Sequence, residues 1–352
     1  MTSSVFVKHT LEAAGTAAGS AADTLPAPDS LTRRQNWTRH WASGAAHSCT
    51  GSFGETYGGA LATFWSRVFR GLPPGAQLLD IATGNGAVPR LLMRERELAS
   101  GISCHAIDLA DVAPAWAGSL DGGQRPRLQF HGGVSADQLP FENSRFDGVS
   151  SQYGIEYANL DLAMAEALRV LKPGGLLALV LHHADSRPVS LAQWEVEHLD
   201  WLLGEDGLLP CAHELLEPLE RARSPEGRAA LESDPAAAAV RERFNAAQDR
   251  LAERAQQRAD GADVLFEARQ AVSQVIQTLF QRDRQAAQAQ LQALSVAFED
   301  TRFRLQELRR CALSAEGLSH HVQRLLLQGF HVECGPLHEQ GHLMGWQLRA
   351  QR

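Results

Sequence analysis

The sequence predicts an α/β fold: an open, doubly wound, mostly parallel sheet carrying a long α-helical insertion. Three observations lead there. Short apolar runs alternate with helical segments from Gln77 to His183, as a parallel sheet covered by helices on both faces requires. From about Ser190 to Leu313 the composition turns to Ala, Gln, Arg, Glu and Leu, with few β-branched residues, which favours long helices. Strand signals then return near the C-terminus, so the helical block interrupts the α/β domain.

Taken in order, residues 1–30 are rich in Ala, Gly, Ser and Pro and lack an uninterrupted apolar stretch behind a basic start. They read as a flexible leader, with an atypical organelle-targeting sequence as the rival. Residues 31–75 hold Trp37, Trp41, Phe53, Tyr57 and Trp65 ahead of the sheet and read as helical. Residues 76–189 form the α/β core through "QLLDIA", a helix from Val88 to Leu98, "ISCHAI", "LQFHG", "FDGVSS", a helix from Leu160 to Leu171, and "LLALVLHH". Right-handed crossovers between such runs make an open sheet.

Residues 190–315 are the insertion. Val240, Phe244, Ala247 and Leu251 step by four, three and four, and Leu291, Leu294, Phe298, Leu305 and Leu308 continue the pattern, which lays an apolar stripe on one helical face. Asp234 and Pro235 suit an N-cap and first turn, and "ADGAD", Ala259 to Asp263, suits a turn between helices. Residues 316–352 complete the sheet with "GFHVEC" and "HLMGWQLRA", an antiparallel hairpin with Gly335 and Pro336 in the connection.

Composition narrows function. The chain has 352 residues, with 33 Lys and Arg against 41 Asp and Glu, a net charge of −8. That balance offers no electrostatic footprint for nucleic acid. Five scattered cysteines, Cys49, Cys104, Cys211, Cys311 and Cys334, show no paired spacing, so neither a disulfide framework nor a metal site is expected and the thiols read as reduced in a cytoplasmic setting. No apolar run approaches the about 20 residues of a membrane span.

The informative stretch is "DIATGNGA", Asp80 to Ala87. A loop leaving the carboxyl end of the first strand is where an open α/β sheet binds its ligand, and small residues let the backbone approach it. The dinucleotide pattern G-x-G-x-x-G fails at Pro89, and no Gly-Lys-Ser or Gly-Lys-Thr follows. Asp80, Gly84 and Gly86 stand instead as D-x-A-x-G-x-G. This resembles the nucleotide loop of the class I S-adenosylmethionine-dependent methyltransferases, whose usual form is D/E-x-G-x-G-x-G, with Ala82 in place of a glycine. That ligand carries a sulfonium cation and an amino-acid end but no phosphate, so an acid can organise the loop without repelling it.

Downstream segments follow the family's order. Asp108 resembles its second-strand acid, whose oxygens accept the ribose hydroxyl protons. "SADQLPF" resembles its "DAExLPF" segment, with Ser135 replacing the acid so that the adenine contact falls to Asp137 or a backbone carbonyl. "FDGVSSQYGIEY" resembles the fourth strand and substrate-facing loop, and "ALRVLKPGGLLALV" the next helix, turn and strand. The resemblance covers about 110 contiguous residues. It implies a seven-stranded sheet of order 3-2-1-4-5-7-6 and an N-terminal helical lid within 31–75. It also implies S-adenosyl-L-methionine as cofactor, contacted by Asp80, Ala82, Thr83, Gly84, Asn85, Gly86, Asp108, Leu109, Ser135, Ala136, Gln152 and Tyr57.

Catalytic groups are less sharply marked, because in-line transfer from an activated carbon rests largely on positioning. His183 at the end of the fifth strand, and Tyr153 and Glu156 in the substrate-facing loop, are the candidates for a base or an orienting group. The leading expectation is methyl transfer to a small or lipid-like acceptor. The alternatives are a protein methyltransferase docking its substrate on the insertion, and a non-catalytic cofactor-binding module that oligomerises through it, with a homodimer the simplest form. An exposed stripe favours the alternatives and a buried one the leading reading. The place of the N/D-P-P-Y/F/W motif common in base-modifying relatives holds "SSQYGIEY", which argues against nucleic acid a second time.

Overall fold

The structure, a computed structural model, describes residues 28–45, 58–95, 101–124 and 127–352. They divide into two compact units: residues up to 189 together with 308–352, and residues 190–307.

The first unit is built on seven strands: β1 (Gln77–Ile81), β2 (Ser103–Ile107), β3 (Leu128–His131), β4 (Phe146–Gln152), β5 (Leu171–Leu181), β6 (His331–Glu339) and β7 (His342–Gln351). Their order is β3-β2-β1-β4-β5-β7-β6, as the resemblance implied. β1 to β5 run parallel, and β7 pairs antiparallel with β5 and β6. In chain order the α-helices are α1 (Ser30–Ala42), α2 (Gly59–Arg70), α3 (Ala87–Arg94), α4 (Leu160–Val170), α5 (Arg187–Leu203), α6 (Leu208–Arg221), α7 (Pro225–Glu232), α8 (Pro235–Gln257), α9 (Asp263–Gln281), α10 (Arg284–Cys311) and α11 (Ala315–Leu327).

Alternation along the strands gives the sheet two apolar faces. Leu78, Cys104, Ala106, Ala178 and Val180 share one core with Leu61, Trp65 and Phe69 of α2 and Val88 and Leu92 of α3. Leu79, Ile81, Ile107, Val149, Leu177 and Leu179 form the other with Ala163, Met164 and Ala167 of α4 and Leu318, Val322 and Leu325 of α11. Each such fully buried large side chain contributes about 1.5–3 kcal/mol.

Two local expectations are corrected. Gly335 and Pro336 lie inside β6, and the hairpin turns at Gln340 and Gly341, whose φ values of 50° and 82° suit a two-residue turn. β6 is the edge strand, where a proline's missing N–H costs no ladder bond. The segment after the insertion is also more than strands. Residues 315–327 form α11, whose N-cap Ser314 accepts from the Gly317 N–H.

The second unit is helical from Ser190 in α5 to Glu307 in α10. Asp234 caps α8 by accepting from the Ala236 and Ala237 N–H groups, with Pro235 at its first position. The expected stripe is inside: Ala247, Leu251, Leu291 and Phe298 share a core with Leu202, Leu216, Leu265 and Leu279. Among the described residues no helix is long and apolar enough to cross a membrane, and no cluster of three or more potential metal ligands occurs.

Candidate functional site

At the carboxyl end of β1 the backbone turns left-handed three times, at Ala82 (φ 53°), Gly84 (φ 54°) and Gly86 (φ 76°). Only glycine adopts that region freely, so Ala82 is a strained position of the kind that gathers at binding sites. Gly86 also lies where an added Cβ would stand 2.7 Å from Phe130 and 2.9 Å from Trp116. The loop is held from below by Asp108, whose two oxygens accept from the Gly84 and Ala110 N–H groups at 2.8 Å each. The Thr83 N–H donates to the Ile107 carbonyl at 2.9 Å.

Asp80 is buried at the end of β1 and accepts from the Ser150 hydroxyl at 2.7 Å. Burial pushes its carboxyl up to about 7 against the hydrogen bond from Ser150. Burial likewise raises Asp108 to about 6, against the two backbone donors.

These groups wall one cavity. Of the cofactor residues expected from sequence, Asp80, Ala82, Thr83, Gly84, Asp108, Leu109, Ser135, Ala136 and Gln152 line it, as does Tyr153. Asp137 is there too, but its Oδ1 accepts from the Asn159 N–H at 3.0 Å, and Ser135 Oγ accepts from the Asp137 N–H. Gln152 takes the Trp65 indole N–H at 2.5 Å. Tyr57 lies outside the described residues.

Five of the expected site residues have other placements or partners. Asn85 and Gly86 belong to the loop but do not line the cavity; the Asn85 amide instead donates to the carbonyls of Trp41 and Ala45 at 2.9 and 2.7 Å. Glu156 is not among the residues lining the cavity; its Oε1 accepts from the backbone N–H of His182 at 2.9 Å and pairs with its Nδ1 at 2.8 Å, both side chains fully buried. His183 packs flat on Trp346, ring centroids 4.0 Å apart, and its Nδ1 accepts from the Asp185 N–H. Burial lowers its pKa. Tyr153 does reach the cavity wall, with φ 52°, but its hydroxyl donates to the Met344 carbonyl at 3.1 Å.

Other wall residues come from α1 and from the turn after β4: Ser30, Arg33, Trp37, Trp41, Gly154, Tyr157 and Ala158. Trp37 stacks on Trp41 (5.5 Å, 23°) and meets Tyr157 edge-on (5.6 Å, 90°). The i, i+4 spacing of the two tryptophans signalled one helical face, and Tyr157 ends the segment read as the substrate-facing loop; Arg33 carried no local signal.

Residues 79–179 match the family model described as a methyltransferase domain. With the strand order, that match decides the matter. These residues are a class I methyltransferase domain.

Around that domain the curated relatives include a ubiquinone/menaquinone biosynthesis C-methyltransferase of Brucella anthropi, 34% identical over 29% of this chain and 39% of its own length. A demethylmenaquinone methyltransferase of Renibacterium salmoninarum is 35% identical over 31% and 42%. The chain thus spans about two-fifths of the length of these relatives. Among solved structures, a SAM-dependent methyltransferase from Aquifex aeolicus aligns over 36% of this chain and 69% of its own, at 22% identity and a TM-score of 0.30. The helical unit of residues 190–307 lies outside the matched family segment.

Proposed function

We propose that the chain is an S-adenosylmethionine-dependent methyltransferase acting on a small, apolar or lipid-like acceptor. The observation that carries the reading is the convergence of two buried carboxylates, Asp80 and Asp108, and a left-handed glycine loop on one cavity within the matched domain. The residues fit such a cofactor: the left-handed glycine loop brings backbone to the cavity wall, and the acids suit a ligand that is cationic and lacks phosphate. When bound, the cofactor supplies a methyl group already activated on a sulfonium carbon. The chain's own part is to bind and orient. Asp108 offers its remaining lone pairs to vicinal hydroxyls, and the aromatic wall of Trp37, Trp41 and Tyr157 excludes water from the rest of the cavity.

Relatives named for ubiquinone and menaquinone biosynthesis support an acceptor built on a flat apolar ring, which stacked indoles would receive. The apolar stripe of the insertion is buried in the insertion's own core, which favours a small acceptor over a docked protein substrate. Calorimetric titration with S-adenosylmethionine and S-adenosylhomocysteine tests the reading. Micromolar binding of both is expected, and a folded protein that binds neither would sink it.

A further inference from the structure

The helical unit carries a cationic seam between α5 and α8. Trp194, His198 and Trp201 follow one another by four and three residues along α5, which puts them on one face. Arg250 and Arg254 are four apart on α8, and Arg258 is its C-cap residue, four further on. The two rows meet. The Arg258 guanidinium lies over the Trp194 ring, 3.5 Å from its centroid, and that of Arg254 lies over Trp201 at 5.0 Å. His198, between the two tryptophans on its own helix, is thereby bracketed by two arginine–indole stacks. Burial lowers its pKa, and the neighbouring Arg254 and Arg258 lower it further against Glu197.

The polar groups of this seam lack partners. Among the described residues, neither ring nitrogen of His198, which is 3% exposed, has a hydrogen-bond partner, and nor has the buried indole N–H of Trp201. The guanidiniums of Arg250, Arg254 and Arg258 make no hydrogen bond or ion pair there either. Buried polar groups in folded proteins are nearly always bonded, so several unpartnered ones in one place point to a ligand. The set is one of donors. A guanidinium whose face rests on an indole keeps its N–H edge for a bidentate acceptor, an indole N–H only donates, and a neutral imidazole offers one N–H in either tautomer. The row of arginines outweighs the Glu197 carboxylate beside it and the about half charge of a helix C-terminus.

We propose that the seam of α5 and α8 is an oxyanion site that takes the phosphate or carboxylate group of a small molecule on His198, Trp201, Arg254 and Arg258. Arg258 is exposed and gives the ligand its way in. The site lies wholly within residues 190–307 and does not depend on the methyl-transfer reading.

Calorimetric titration of the full chain with inorganic phosphate, pyrophosphate and citrate, against chloride at matched ionic strength, tests it. Saturable binding of at least one oxyanion is expected, phosphate or pyrophosphate alone marking a phosphoryl ligand and citrate alone a carboxylate. Arg254→Gln and Arg258→Gln should each weaken binding about tenfold or more, and the exposed Arg258 can be replaced with the fold intact. His198→Phe, which fills similar space without ring nitrogens, should also weaken binding and should raise the Tm of the ligand-free protein, because it removes unpartnered buried atoms. Arg269→Gln, at an exposed position of α9, should bind as the wild type does. No saturable binding of any of the three oxyanions, or a loss in Arg269→Gln equal to that in Arg254→Gln and Arg258→Gln, overturns the site. Failure to bind S-adenosylmethionine bears on the methyl-transfer reading alone.

Discussion

At the scale of single residues, the two acids of the cavity do double work. Both oxygens of Asp108 already hold backbone N–H groups, one of them from the glycine loop, so the acid shapes the loop as well as facing a ligand. Asp108→Ala should therefore weaken S-adenosylmethionine binding by about 1–3 kcal/mol, and calorimetry checks it. The pH dependence has a definite sign. Burial raises Asp80 and Asp108 from the ordinary 3.8 to about 7 and about 6. Raised carboxyls stabilise the fold fully below the unfolded value of about 4, and that contribution is lost as pH rises through about 6 to 7. Thermal melts of the ligand-free protein should fall across this window, while affinity for a cationic ligand should climb as the carboxylates ionise. Parallel trends in both measurements would contradict the assignment. That Asp80 and Asp108 matter was legible from their spacing to the glycines. That Glu156 pairs with His182 and His183 stacks on Trp346 was not, because the direction of a side chain after a strand end depends on the partner it meets.

Among the elements, α1 and the glycine loop form one assembly. Gly84 is required twice over, by φ 54° and by the indole against it. Gly84→Ala should cost about 1–3 kcal/mol from left-handed strain and overpacking and displace Trp41. Denaturant titration reads the first effect, and a change in tryptophan emission reads the second. The aromatic spacing of α1 could be read from sequence as one helical face. Its seat on the loop could not, since the hydrogen bonds from Asn85 and the edge contact of Tyr157 with Trp37 join residues 44, 40 and 120 positions apart. The C-terminal hairpin makes the same point. Gly335 and Pro336 look like a turn in sequence, yet an edge strand accommodates both and the reversal falls at Gln340 and Gly341.

For the whole molecule, two compact units with separate cores should show separate stabilities. Leu251 is fully buried in the helical unit, and Leu251→Ala should destabilise that unit by about 2–5 kcal/mol. Scanning calorimetry should show S-adenosylmethionine raising the transition of the α/β unit, as a ligand stabilises what binds it, while Leu251→Ala lowers the other. A single transition moved by both would show the units to be thermodynamically one.

The sequence alone determined the parallel sheet, the helical insertion and the loop with its acids. Each is written in short-range terms that survive without a fold: the period of apolar residues, helix capping, and glycines at fixed distance from a carboxylate. Tertiary structure alone decided which polar groups face the cavity, what roofs it, and where the insertion's stripe is spent. Those outcomes depend on which faces of distant segments meet. A local pattern fixes the face a residue occupies on its own element, and only packing selects the neighbour across from it.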